Sequence, residues 1–190
     1  HDKNSICGNN ILFIFKDSKG SIWASAYLKG LSKYNKDKQS FTNFSLVQPP
    51  QYTNIFNNDI RYIYEDKNGF LWIATNGGGI FHFDPENGKI IKNLTAPYSN
   101  NDSSLVSNYC LGIIADKKDS LLFIYSYNGL SIYNKYNSKF RNYWENKNID
   151  NNISSSEVYC AYYKENNKLY LGTSSGLNIF NLDNGLFTSY

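Results

Sequence analysis

The chain has 190 residues, a formal net charge of +3 and a 17% share of aromatic residues. Its charges are scattered, with no stripe of Lys and Arg on one element, which argues against nucleic acid as a partner. No run of 18 apolar residues offers a helical membrane span, and no secretory leader is visible.

Four copies of one pattern, about 50 residues apart, fill the sequence, a period that signals a solenoid or a propeller. The first runs Asp17-Ser18-Lys19-Gly20-Ser21-Ile22-Trp23 and continues to Gly30, Leu31, Tyr34 and Phe41. The second is the clearest: Asp66-Lys67-Asn68-Gly69-Phe70-Leu71-Trp72, then Gly79, Ile80, Phe83 and Ile90. The third keeps Asp116, Leu122, Gly129, Leu130, Tyr133 and Phe140. The fourth keeps Tyr170, Gly176, Leu177, Phe180 and Phe187. Upstream of each stands an apolar residue: Ile11, Ile60, Cys110 and Val158. Columns that agree in this way mark core positions.

Each copy reads as four short strands, placed in the second near 59–65, 70–75, 79–84 and 89–94. The runs are rich in Ile, Tyr, Phe, Trp and Thr, with turn residues between them. Asn68-Gly69 tolerates positive φ, and Asp66 is expected to accept backbone amides in the same turn. Asp84-Pro85-Glu86-Asn87-Gly88 forms another turn. The unbroken apolar run Leu71-Trp72-Ile73-Ala74 predicts a strand buried on both faces. A lone sheet cannot bury both, so the copies stack radially as blades, with Trp23 and Trp72 between neighbours. The expected fold is all-β: a β-propeller segment of about four four-stranded antiparallel blades, at about 10–45, 58–95, 108–144 and 156–190. Residues 1–190 form one array, part of a larger ring of seven or eight blades. The chain's ends coincide with blade boundaries; if the ring is incomplete, both end blades expose an apolar face, which the segment would hide by dimerising or curling.

Residues suited to chemistry are few. Cys7, Cys110 and Cys160 are odd in number and fit no zinc motif; Cys110 and Cys160 read as small buried hydrophobes. His82 shares its column with Lys33, Ile132 and Ile179, which marks a packed side chain. Asp17, Asp66, Asp84, Asp116 and Asp183 recur at turns and read as caps. Glu65, Asp102, Glu145 and Glu157 offer no facing pair of the kind a glycosidase needs. Gly77-Gly78-Gly79 joins two strands and opens no helix, so it lacks the amide cradle of a phosphate loop. Asp66-Lys67-Asn68-Gly69 is too short for an EF-hand loop. No cofactor and no metal site is expected. Asn-x-Ser/Thr triplets at Asn43, Asn93, Asn101 and Asn152 carry no weight in a chain this rich in Asn.

Function is expected on one rim, where the connections between blades are long. These connections, at about 45–58, 95–108 and 144–156, contribute Tyr52, Tyr98 and Trp144. The loops between second and third strands join the same rim and bring Tyr27, Lys29, Asn76 and Tyr127. Arg61 completes the set of candidate ligand contacts. Amides, hydroxyls and aromatic faces suit an oligosaccharide or a peptide.

The motif Ile-x-x-Ile-x-x-Asp-x-x-Gly-x-Leu-Trp-Ile-x-Thr-x-Gly-Gly-Gly-Ile-x-x-Phe-Asp at 60–84 resembles the two-component regulator propeller repeat. The first copy fits through Asp17, Gly20, Trp23, Gly30 and Tyr34. The third departs, with Asp119 in place of the turn glycine and Leu122 in place of the Trp. The fourth has Tyr170 at the Trp position and a shorter turn at Glu165-Asn166-Asn167. The resemblance covers nearly the whole chain. It implies an extracytoplasmic, periplasmic sensor segment of a hybrid two-component system from carbohydrate-degrading gut bacteria. Full-length relatives carry two propellers, a β-sandwich, one membrane span, then histidine kinase and response-regulator parts, and the propellers help bind sugars. The motif is structural and transfers no ligand contact. The expected function is non-enzymatic sensing of oligosaccharides from polysaccharide breakdown, with the remaining blades of the receptor and a second copy as partners. The rival readings are a protein-interaction scaffold and a propeller lyase or hydrolase.

Overall fold

The computed structural model describes residues 4–47, 55–97, 104–146, 151–164 and 166–190. It is all-β, with four four-stranded antiparallel sheets in which consecutive strands are hydrogen-bonded neighbours. The first blade is β1 (Ile11–Lys16), β2 (Ile22–Ala26), β3 (Gly30–Asn35) and β4 (Ser40–Phe44). The second is β5 (Ile60–Glu65), β6 (Leu71–Thr75), β7 (Ile80–Asp84) and β8 (Lys89–Leu94), preceded by a 3-10 turn, Ile55–Asn58. The third is β9 (Cys110–Ala115), β10 (Leu121–Ser126), β11 (Gly129–Asn134) and β12 (Phe140–Tyr143). The fourth is β13 (Val158–Lys164), β14 (Lys168–Thr173), β15 (Gly176–Asn181) and β16 (Leu186–Ser189). The chain divides into two compact units, His1–Asn93 and Leu94–Tyr190.

The repeated aspartate ties the first hairpin of a blade together. Asp66 Oδ1 accepts the amides of Asn68 (3.0 Å) and Phe70 (3.1 Å), and its Oδ2 accepts the Trp72 indole N–H at 3.0 Å. Asp17 repeats this with the Ser21 amide (2.7 Å) and the Trp23 indole (2.9 Å). A short carboxylate at this position serves two orphan turn amides and the one polar atom of a buried indole.

The third blade departs from the expectation that Leu122 replaces the tryptophan. Asp116 N–H bonds Leu121 O, five residues on, whereas Asp66 bonds Phe70 O and Asp17 bonds Ser21 O, four residues on. The turn is therefore one residue longer. Phe123 pairs with Ile132 as Trp23 pairs with Lys33 and Trp72 with His82. Phe123 thus holds the tryptophan position. The hairpin that follows is one residue shorter, with Ser126 opposite Gly129 where Ala26 lies opposite Gly30. The insertion and deletion cancel, which hid the shift from the sequence spacing. With no indole present, the Ser120 hydroxyl donates to Asp116 Oδ2 at 2.9 Å.

The glycine that opens each third strand has a steric cause. Gly30, Gly129 and Gly176 have φ of +89°, +130° and +98°, and a Cβ there would collide with the carbonyl of Phe44, Tyr143 and Tyr190 respectively. Phe44 and Tyr143 end the outer strands β4 and β12, and Tyr190 directly follows β16. Only glycine lets the two strands approach so closely.

Blades pack in pairs within each unit. In the first, Trp23, Leu31 and Leu46 bury against Ile60, Ile63, Leu71, Ile73 and Phe83. Trp23 meets Phe83 edge-on at 6.3 Å between ring centres and Phe44 at 5.7 Å. The Lys33 ammonium lies over the indole at 5.0 Å. In the second unit, Phe123, Tyr125, Leu130 and Ile132 bury against Val158, Leu169, Leu171 and Phe180. β6 is buried along its whole length, as its apolar run predicts. His82 stacks on Trp72 at 4.1 Å with ring planes 12° apart, which makes it a packing residue.

Cysteine placement corrects one expectation. Cys110 is buried, but Cys160 is exposed. A register irregularity between Val158 and Cys160 turns Cys160 onto the opposite face from Val158, opposite Gly172. Two core columns also fail locally: Ile11 and Leu177 are exposed although their counterparts Ile60 and Leu31 are fully buried.

Candidate ligand-binding rim

Antiparallel order places the second hairpin of each blade and the connection to the next blade at one end of the sheet. Backbone bonds fix this: Tyr27 N–H to Asn10 O (2.9 Å), Asn76 to Asp59 O (2.9 Å) and Ser174 to Glu157 O (3.1 Å). The connections are pinned at their base. Asn58 Oδ1 accepts the Leu46 amide (2.7 Å), Asn108 Oδ1 the Ala96 amide (2.7 Å), and the Ser156 hydroxyl the Glu145 amide (2.8 Å).

In the second blade, the rim gathers Arg61 and Asn76 around a residue that sequence reasoning overlooked. Asp59 Oδ2 accepts the Arg61 guanidinium at 2.8 Å and the Asn76 amide at 2.9 Å. Asp59 is almost fully buried, and its Oδ1, like Arg61 Nε, meets no hydrogen-bond partner. Both atoms are shielded from solvent within the cluster. A clue lay in the sequence: the column holds Asn10, Asp59, Tyr109 and Glu157, polar in every copy.

The fourth blade repeats the arrangement with other chemistry. Tyr159 occupies the Arg61 column and donates its hydroxyl to Glu157 at 2.9 Å. That hydrogen bond, with burial and the Glu157 charge, raises the phenol above its ordinary range. Tyr127 meets the Tyr159 ring edge-on at 6.2 Å, leaving two exposed aromatic faces side by side. Ser155 and Ser174 hydroxyls bond at 2.7 Å beside them.

Trp144 follows β12 and lines a groove of about 220 Å³ with Asn142, Tyr143, Asn151 and Asn152. Asn152 donates to Trp144 O at 2.7 Å, and Asn142 donates to Ser104 O at 2.9 Å. Asn142 Oδ1 is buried and without a hydrogen-bond partner. Burial raises the Tyr143 hydroxyl above its ordinary range. The groove is smaller than the ~300–1,000 Å³ pockets of drug-sized ligands and matches one ring-sized group.

The remaining candidates are dispersed. Tyr27 and Lys29 are both exposed in the first blade's hairpin. Tyr52 and Tyr98 lie outside the described residues, as do Gln48 to Gln51, Asp102 and Glu165. Asp17, Asp66, Asp84 and Asp116 all accept turn amides. Asp183 instead accepts the Asn167 side-chain amide at 2.8 Å. Glu65 accepts the Ser18 amide and hydroxyl at 2.6 and 2.7 Å. Among the described residues no three His, Cys, Asp or Glu gather as a metal-binding group, and no helix is long and apolar enough to cross a membrane.

Residues 54–77 match the family described as two component regulator propeller. No curated protein matches the chain. The fold resembles the extracellular domain of BT3049 from B. thetaiotaomicron, assigned as a hybrid two component system, with TM-score 0.80 and 23% identity over 100% of this chain and 26% of that one. The corresponding domain of BT4673 from B. thetaiotaomicron gives TM-score 0.78 and 20% identity over 100% of this chain and 25% of that one. The β-propeller domain of Swd1 from Myceliophteria thermophila gives TM-score 0.64 and 11% identity over 97% of this chain and 55% of that one. The chain spans about a quarter of the length of the first two structures. At these identities the likeness establishes the fold. The chain is therefore a β-propeller segment of four blades that carries the two component regulator propeller repeat.

Proposed function

We propose that this chain is an extracytoplasmic, ligand-sensing propeller segment of a hybrid two-component sensor, non-enzymatic and facing the periplasm. The observation that carries this reading is the two component regulator propeller repeat at 54–77. The likeness in fold to extracellular domains assigned to such systems supports it. All four blades belong to one array over residues 1–190, and the remaining blades of the receptor are its structural partners. Oligosaccharides from polysaccharide breakdown are the ligand class. Two features support that class: the paired exposed rings of Tyr127 and Tyr159, and the groove that Trp144 and Tyr143 line together with Asn142, Asn151 and Asn152. Aromatic faces supply contact area, while fixed amides and carboxylates orient hydroxyls. Signalling follows from differential binding: the ligand favours one arrangement of a receptor dimer, and a kinase reads the shift.

Isothermal titration of the full periplasmic region with oligosaccharide mixtures tests this reading. Heat is expected with a carbohydrate and is reduced in Arg61→Ala or Trp144→Ala. No heat with any carbohydrate, together with binding of a peptide or protein, overturns the sugar assignment and favours an interaction scaffold.

A further inference from the structure

We infer that the rim between the third and fourth blades is a subsite for an ammonium group, carried by an amino sugar unit of the sensed oligosaccharide. This rests on the carbohydrate reading above and names the chemistry of one site within it. Tyr127, in the hairpin between β10 and β11, is 47% exposed, and Tyr159, in β13, is 49% exposed. Their ring centres are 6.2 Å apart and their planes meet at 74°. Two rings at that angle and distance frame a corner. A cation seated in it lies within about 6 Å of both ring centres, the reach of a cation–π contact. The exposed Glu157 adjoins this corner and accepts the Tyr159 hydroxyl at 2.9 Å. The two blades that form the site lie in one compact unit, so it needs no blade beyond those the chain supplies.

The second blade shows how the same two columns are filled when the site is self-contained. There the rim carboxylate, Asp59, is paired with a cation two residues on, the Arg61 guanidinium at 2.8 Å. In the fourth blade these columns hold Glu157 and Tyr159, so the carboxylate is kept and the cation is replaced by a phenol. A phenol donates one hydrogen bond and brings no charge, whereas an ionised carboxylate accepts at two oxygens. Lys19 pairs with Glu86 and Lys135 with Asp119, but among the described residues no Lys or Arg pairs with Glu157. The place of the guanidinium is thus left to a cation from outside, with aromatic walls to hold it. An amino sugar suits the rest of the site. Its C–H face packs on a ring, its ammonium meets Glu157, and its hydroxyls meet the exposed Ser174 hydroxyl, which bonds Ser155 at 2.7 Å. A lysine-bearing peptide suits it less well, because the backbone here is already engaged. Ser174 N–H bonds Glu157 O, and Glu157 N–H bonds Ser155 Oγ, both at 3.1 Å. No open strand edge is offered to a peptide main chain at these residues.

Isothermal titration of the full chain with a β-1,4-linked glucosamine tetramer, its amines protonated, and with the N-acetylated tetramer tests the inference. The glucosamine tetramer is expected to bind at least about tenfold more tightly, because acetylation removes the charge that the rings and the carboxylate attract. Glu157→Gln erases that preference. Tyr159→Phe keeps the ring and frees the carboxylate, so the preference persists or grows, and Tyr127→Leu opens the corner and weakens it. Circular dichroism checks that each variant folds, and the three changes lie at exposed side chains on two different blades. Equal affinity for the two tetramers overturns the inference and leaves the carbohydrate reading standing, as does a preference that survives in Glu157→Gln. Binding of a lysine peptide that Glu157→Gln abolishes, with neither tetramer bound, overturns the amino sugar. Silence with both tetramers overturns it as well, and neutral oligosaccharides then separate the two failures: heat with them preserves the sensing reading, and no heat with any carbohydrate ends both.

Discussion

The third blade is a natural replacement of the motif tryptophan, and it predicts how the first blade responds to the same change. Trp23→Phe keeps a ring in the core but removes the indole N–H that Asp17 Oδ2 accepts at 2.9 Å. A hydrogen bond to a charged group contributes about 1.5–3 kcal/mol, and a buried acceptor left without one is costly. Beside Phe123, however, the Ser120 hydroxyl donates to Asp116. Ser21 stands four residues after Asp17, as Ser120 stands four after Asp116, and its amide already reaches Asp17 Oδ1. Its hydroxyl already bears on the same carboxylate and is expected to compensate for the lost indole in Trp23→Phe. That variant then loses about 1–2 kcal/mol, mostly from the trimmed ring. Ser21→Ala costs little in the wild-type background. The double variant loses about 3–4 kcal/mol, a coupling of about 1–2 kcal/mol. Urea unfolding followed by circular dichroism measures each corner of the cycle. Additivity within about 0.5 kcal/mol would falsify the rescue.

Three further outcomes follow from the same geometry. Burial pushes the Asp17 carboxyl up, but bonds from Trp23 and Ser21 and the charge of Lys33 outweigh it and leave the group below its ordinary range. The folded value lies below the unfolded one, so the stabilisation is complete above the ordinary carboxylate pKa of about 3.9 and is lost as pH falls through the folded value. The difference in urea midpoint between wild type and Asp17→Asn should shrink in that acid window; a constant difference refutes the account. Gly30→Ala places a Cβ at φ +89° against the Phe44 carbonyl, and is expected to lower stability by at least about 2 kcal/mol; an unchanged thermal midpoint contradicts it. Burial pushes the Cys110 thiol well up. Cys160 should therefore react with a thiol reagent in the native protein and Cys110 only after denaturation, which mass mapping of the labelled peptides decides.

Part of this protein was written locally. Turn chemistry around Asp66 and Gly69, the apolar run at Leu71–Ala74 and the repeated aromatic columns determine the four-stranded unit, because hairpin register depends on residues a few positions apart. The order of the strands follows from the same short connections. Other features needed the folded chain. Two compensating one-residue changes put Phe123, and not Leu122, into the core, and spacing alone is blind to a shift that cancels. Asp59 draws Arg61 and Asn76 together across 15 positions of sequence, which only strand pairing brings within bonding distance. The Trp144 groove depends on how the outer strand and the following connection lie side by side. Above all, Ile11 and Ile60 are equivalent as sequence, yet one is exposed and the other fully buried. Burial belongs to the neighbour across the face, and that neighbour is a property of tertiary packing.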